Sequence, residues 1–198
     1  NGDFLGAKFG LTRGFEQGDE VYFADNERVR SATETTDAAL RWLDLVGKGQ
    51  SLLLVHYFDV HAVYDPPSAF RRAHALPADR EEAGLRFPSR EQMVQLRQGL
   101  LPLEPELIAR AEALYDGEVA YVDQEIGRLI EGLRLRGLFD DTLFVLTADH
   151  GEEFLDHGGF EHGHSLYDEL LHVPLAMSWP GRVPPGSSSE LVGLIDVA

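Results

Sequence analysis

The chain has 198 residues, 43% hydrophobic and 26% charged, and its 34 acidic against 17 Lys and Arg residues give a formal charge of -17. That size and composition suit a globular protein with a sizeable core, expected here as one domain over residues 1–198; the scattered basic residues argue against a nucleic-acid partner, and the acidic excess fits an extracellular or high-salt surface. No apolar run reaches the ~18 residues of a spanning helix, no signal-peptide pattern opens the chain, and the absence of Cys removes disulfides, thiolate metal sites and cysteine nucleophiles from this segment.

In chain order, Asn1 to Glu20 is rich in Gly and Phe without periodicity and reads as loop. Ala38, Ala39, Trp42, Leu43 and Val46 recur at helical spacing, which predicts a helix over 33–46 stopped by Gly47. Gln50 to Phe58 is nearly continuous apolar sequence, the pattern of a strand buried on both faces. It runs into a polar, Pro-rich loop from Asp59 to Pro67. Residues 68–103 are charged and irregular and predict short surface helices. Ile108, Ala111, Tyr115, Val119, Val122, Ile126, Leu129 and Leu133 mark one face of a long helix, with Gly117 a candidate break and Gly137 a closing residue. Thr142 to Ala148 is a second strand and Val173 to Trp179 a third, with Pro174 suiting an edge or entry position. Leu191 to Ile195 is a candidate fourth. Strands alternating with helices imply a mostly parallel central sheet flanked by helices, an α/β fold.

The densest chemistry follows the second strand. Asp149-His150-Gly151 stands where that strand stops, and His157, His162 and His164 follow with Glu152 and Glu153 between them. Ligands of open α/β sheets sit beyond the carboxyl ends of strands. Taken alone, Asp-His-Gly reads as a turn; with three further histidines and two acids by residue 164 it reads as a functional site. The histidine spacing fits neither H-E-x-x-H nor H-x-x-E-H, which argues against a zinc hydrolase of those kinds.

Four segments, in order, resemble the sulfatase family of the alkaline phosphatase superfamily. Val55 to Pro67 is similar to the family's strand and loop F-D-P-H-x-P-Y-x-P-P; Tyr115 to Asp123 with Ile126-Gly127 to its long helix; Thr147 to Glu152 to its metal-ligand turn; and His162 to Glu169 with Val173-Pro174-Leu175 to its substrate-side loop and next strand. The resemblance implies an alkaline-phosphatase-like fold, incomplete here, and a divalent cation held in part by Asp149 and His150. Calcium is the first expectation, and the imidazole keeps manganese and zinc open. It implies that His61 binds sulfate and protonates the departing alcohol, a role suited to imidazole. Family members often set a lysine against the sulfate after the metal pair. This chain has only Lys8 and Lys48, so the cationic role passes to His162 first and His164 second, with His157 the weakest of the cluster. The implied substrate is a sulfated small molecule or glycan, and a periplasmic or secreted location is favoured.

The family's nucleophile, a formylglycine made within Cys/Ser-x-Pro-x-Arg, has no counterpart here. Ser178-Trp179-Pro180-Gly181-Arg182 matches the letters, yet it leaves a strand and enters Val183-Pro184-Pro185-Gly186, which cannot continue a helix. Asn1 to Gly6 retains only Leu5-Gly6 of the family's G-K-W-H-L-G, and Asp196-Val197-Ala198 resembles its D-x-A-P-T cut short. The expectation is an internal portion of a longer sulfate-ester hydrolase with the nucleophile upstream. Rival readings are a phosphodiesterase, phosphonate hydrolase or phosphoethanolamine transferase of the superfamily, or a non-catalytic binding domain derived from it.

Overall fold

The structure, a computed structural model, describes residues 10, 12–19, 30–47, 49–80, 87–97, 100–102 and 104–197; most of the opening stretch, with Leu5, Gly6, Lys8 and Lys48, lies outside them. The chain divides into two compact units, 1–132 and 133–198.

The first unit is helical. Helix α1, Ala32–Val46, begins in a capping box: Ser31 Oγ accepts the Glu34 N–H, and the Glu34 carboxylate accepts the Ser31 N–H at 3.0 Å. Gly47, at φ 65°, ends it. Helices α2, Ser68–His74, and α3, Arg90–Arg97, are the expected short pieces, and α4 runs without a break from Pro105 to Leu135. Gly117 does not interrupt α4; a Cβ there would press on Pro66 at 3.0 Å, so the glycine admits a close approach of the preceding loop.

The buried stripe of α4 also differs from the purely apolar one expected. It passes through Ile108, Ala111, Leu114, Glu118, Tyr121, Glu125, Leu129 and Leu133, while Val119 is exposed. Both glutamates have partners. Glu125 accepts from the Thr33 hydroxyl at 3.0 Å and from Arg128, whose guanidinium also reaches Asp37 Oδ1 at 2.7 Å and the Thr33 carbonyl at 2.9 Å. With Tyr121 Oη accepting the Thr33 N–H, a polar seam ties α1 to α4.

Residues 50–58 form no strand, and Leu52 and Leu54 are exposed. A strand buried on both faces needs neighbours to pair with and helices to cover it, and none of the described residues supplies the ladder. The expected parallel sheet is therefore not what the described residues form. In the second unit β1, Phe144–Thr147, pairs antiparallel with β4, Leu175–Ser178, and β2, Glu153–Phe154, with β3, Phe160–Glu161. A parallel pair is usually joined by a crossover through an α-helix. The connection holds instead the β2–β3 hairpin and α5, Asp168–Leu171, a single turn. The candidate strand at 191–195 is not formed; Leu194–Val197 is a 3-10 turn. No helix among the described residues is long and apolar enough to cross a membrane.

Candidate functional site

Asp149, His150, His162 and His164 all belong to the second unit, and the β2–β3 hairpin organises them. Its register pairs Glu153 with Glu161 and Phe154 with Phe160; carried one residue outward, it sets Glu152 opposite His162. There the His162 Nδ1 lies 2.8 Å from Glu152 Oε1, a carboxylate 5% exposed. A carboxylate only accepts, so Nδ1 carries the proton. The Glu152 hydrogen bond, with the charges of Glu152, Glu161 and Asp149, outweighs burial and raises the His162 pKa. The shift is toward the protonated form.

Glu153 faces the other way and is fully buried. Its Oε1 accepts the His157 N–H at 3.0 Å and the Gly159 N–H at 2.8 Å; its Oε2 accepts from His164 Nε2 at 2.9 Å and Ser165 Oγ at 3.3 Å. Burial alone would raise this carboxyl, but those donors prevail and hold its pKa down at about 2. Gly159 is required beside it, since a Cβ would collide with the His164 ring. Leu155 and Glu161, at φ 71° and 73°, bend the chain through the left-handed region beside the hairpin strands.

Asp149 and His150 follow β1. The His150 Nδ1 donates to the Gly151 carbonyl at 2.8 Å, the bond that commonly orients a ligating imidazole and leaves its Nε2 lone pair for a metal. Asp149 Oδ1 lies 3.9 Å from that Nε2, a separation that two ligands of one cation can take at ~2.4 Å bonds. Among the described residues no three His, Asp or Glu side chains form a metal-holding group. Asp149 and His150 by themselves would offer a cation two donors. His162 stacks on His150 with ring centroids 4.0 Å apart. Gly151 permits the turn: its N–H donates to the Leu170 carbonyl at 2.9 Å, and a Cβ there would collide with the Glu169 carbonyl. His157 stands apart, stacked on Tyr167 at 3.7 Å and 3.2 Å from Glu169 Oε2.

His61 belongs to the first unit. Its N–H donates to the Phe58 carbonyl at 3.0 Å, its ring stacks on Phe58 at 4.5 Å, and Nδ1 donates to the Ala62 carbonyl at 2.7 Å. The flanking acids went unread in the sequence. Asp59 Oδ1 accepts the Ala32 N–H at 2.9 Å, at the start of α1, while its Oδ2 is buried without a hydrogen bond; burial raises its pKa. Glu118, 4% exposed, accepts the Asp65 N–H at 2.8 Å, and its Oε2 is likewise unmatched. Burial first, then the charges of Asp59 and Asp65, push the Glu118 carboxyl up to about 9. Position 118 shares its helix face with Leu114 and Tyr121, the one signal that would have marked it as buried.

Comparison with known proteins bears on both units. An arylsulfatase of Clostridium perfringens (strain 13 / Type A) is 27% identical over 135 residues, covering 68% of this chain and 26% of that protein. Arylsulfatase K of Canis lupus familiaris is 33% identical over 90 residues, covering 46% and 17%. The crystal structure of a phosphonate monoester hydrolase of Agrobacterium radiobacter superposes with a TM-score of 0.56 at 24% identity, covering 77% of this chain and 34% of that one, a likeness of fold. The chain spans about a quarter of the length of the Clostridium arylsulfatase and less of arylsulfatase K. Residues 12–198 match the family described as Sulfatase, so the match runs through both units, and the chain belongs to the sulfatase family.

Proposed function

We propose that this chain is part of a longer metal-dependent hydrolase of sulfate esters, acting on a sulfated small molecule or glycan. The observation that carries the reading is the grouping of a favoured cation, His162, against His150, the imidazole of a two-donor metal pair. A protonated imidazole beside a metal suits a tetrahedral oxyanion, because both stabilise charge on its non-bridging oxygens. Asp149 and His150 would hold the cation, with calcium first and manganese or zinc as alternatives; the bound ion supplies Lewis-acid polarisation of the ester. Its remaining donors, and the formylglycine nucleophile, would come from other parts of the longer protein.

The chain's own residues take separate tasks. His162 donates from Nε2 to a sulfate oxygen, with Glu152 accepting from Nδ1 and so orienting the ring. His164, tied to Glu153 through Nε2, has its ring held by that bond and serves the loop more than the substrate, which favours His162 over His164 as the donor. His61 delivers a proton to the departing alcohol oxygen from Nε2, since Nδ1 is engaged by the Ala62 carbonyl.

Assaying the full-length protein with an aryl sulfate, an aryl phosphonate monoester and a phosphodiester, with calcium, manganese or zinc, tests the reading. The expected result is preference for the sulfate, with turnover falling about 100-fold or more in Asp149→Ala and in His162→Ala. Faster turnover of the phosphonate or the diester would replace it with the phosphoryl reading. No metal-dependent turnover or metal binding at all would favour a binding domain.

A further inference from the structure

The segment that carries His61 is fastened to a helix at each end by an acid. Asp59 accepts the N–H of Ala32, the first residue of α1, at 2.9 Å. At the other end Asp65 donates its N–H to Glu118 Oε1 at 2.8 Å, and Pro66 fills the space that a side chain at Gly117 would take. Between the anchors, Tyr64 is fully buried, exchanges backbone hydrogen bonds with Phe87 at 3.1 and 3.2 Å, and meets Tyr115 edge-on at 5.7 Å. His61 therefore rides on a short span whose two ends cannot move independently of α1 and α4.

Packing does not account for a glutamate at 118. Its Oε2 is buried without a partner, a cost that an apolar residue on this helix face would avoid. What Glu118 supplies is an acceptor for the Asp65 N–H. We propose that Glu118 is a positioning residue for His61: by holding Asp65 it fixes the far end of the loop, and with it the direction from which the imidazole meets the ester oxygen. The inference rests on the role proposed for His61. The acceptor is the carbonyl oxygen of a neutral acid, because burial and the neighbouring Asp59 and Asp65 charges keep the proton on Glu118 to about pH 9. An amide can therefore replace it, whereas a thioether of similar shape cannot.

The test uses the full-length protein with E118M, which keeps the bulk and removes the acceptor, and E118Q, which keeps both. E118M should speed hydrogen exchange at the Asp65 amide and lower kcat for an aryl sulfate, each about tenfold; E118Q should restore both to within about threefold of wild type. In an H61A background E118M should lower kcat no further, since the effect passes through His61. Unchanged exchange and kcat in E118M, or a loss fully additive with H61A, overturns the proposal. Should H61A itself leave turnover intact, the His61 assignment fails, and exchange at Asp65 still decides whether Glu118 holds the loop. Should E118M not fold, rapid exchange of the Asp65 amide in wild type would overturn the proposal, and slow exchange shared with E118Q would support it.

Discussion

Glu118→Gln should make the protein more stable at neutral pH, and the gain should grow with pH. The Glu118 carboxyl rises from an ordinary 4.5 to about 9 in the folded state. With the folded pKa raised, the group's favourable contribution is fully present below pH 4.5, where both states are protonated. It is lost as pH climbs toward 9, because the unfolded chain releases a proton that the folded chain keeps. Each pH unit in that window costs about 1.4 kcal/mol, so wild type forfeits about 3 kcal/mol between pH 5 and pH 7 from this group alone. The amide has no proton to lose and retains the acceptor for the Asp65 N–H. Asp59, whose pKa burial also raises, contributes a slope of the same sign in both proteins and cancels in the difference. Urea melts of wild type and E118Q at pH 5, 6, 7 and 8 measure that difference directly. Nearly equal stabilities at pH 5 that diverge by about 1.4 kcal/mol per unit thereafter are expected. Parallel pH profiles would mean that Glu118 ionises normally when folded, and the neutral-acceptor argument would fail with them.

Glu153→Ala should lower the melting temperature by about 5 °C or more at pH 7, because the His157 and Gly159 amides, the His164 ring and Ser165 lose their shared acceptor. With its folded pKa depressed to about 2, the Glu153 contribution is present above pH 4.5 and lost as pH falls toward 2, so acid melts of wild type and variant should converge there. Gly151→Ala should disturb the metal turn through collision with the Glu169 carbonyl; isothermal titration should show metal affinity reduced about tenfold or more. In the full-length protein, Asp149→Asn should weaken calcium binding more than His150→Asn, and the order should reverse for zinc or manganese, because calcium favours oxygen donors. Equal affinities in both variants and wild type would return Asp149-His150-Gly151 to an ordinary turn.

Periodicity sufficed for the elements whose burial is apolar. Helix α1, with Gly47 after it, was legible from the spacing that carries Ala39 and Leu43 into its buried face, and the core of β1 from its run of β-branched and aromatic residues. The parallel sheet was not, since an apolar run such as residues 50–58 records a wish for neighbours without naming them, and β1 met β4 in the antiparallel sense instead. Candidate ligands were legible as residue types, but their partners were not. The pairing of Glu152 with His162 depends on a hairpin whose strands are two residues each, too short for any alternation to register.

Net charge conceals partners in the same way. A formal -17 invites a picture of acids spread over a solvated surface. Yet Asp79, Glu118, Glu125, Glu153 and Glu161 are buried, and they are not alike. Glu125 and Asp79 are neutralised by Arg128 and Arg110. Glu153 keeps its charge by gathering donors, and Glu118 gives its charge up. Composition counts these as equal units, while the fold assigns each a different electrostatic state according to the donors that reach it. Glu118 carries no charge at pH 7, because one backbone N–H of the His61 loop does not offset its burial, whereas Glu153 keeps its charge until the pH falls toward 2, because four donors of the His164 loop do.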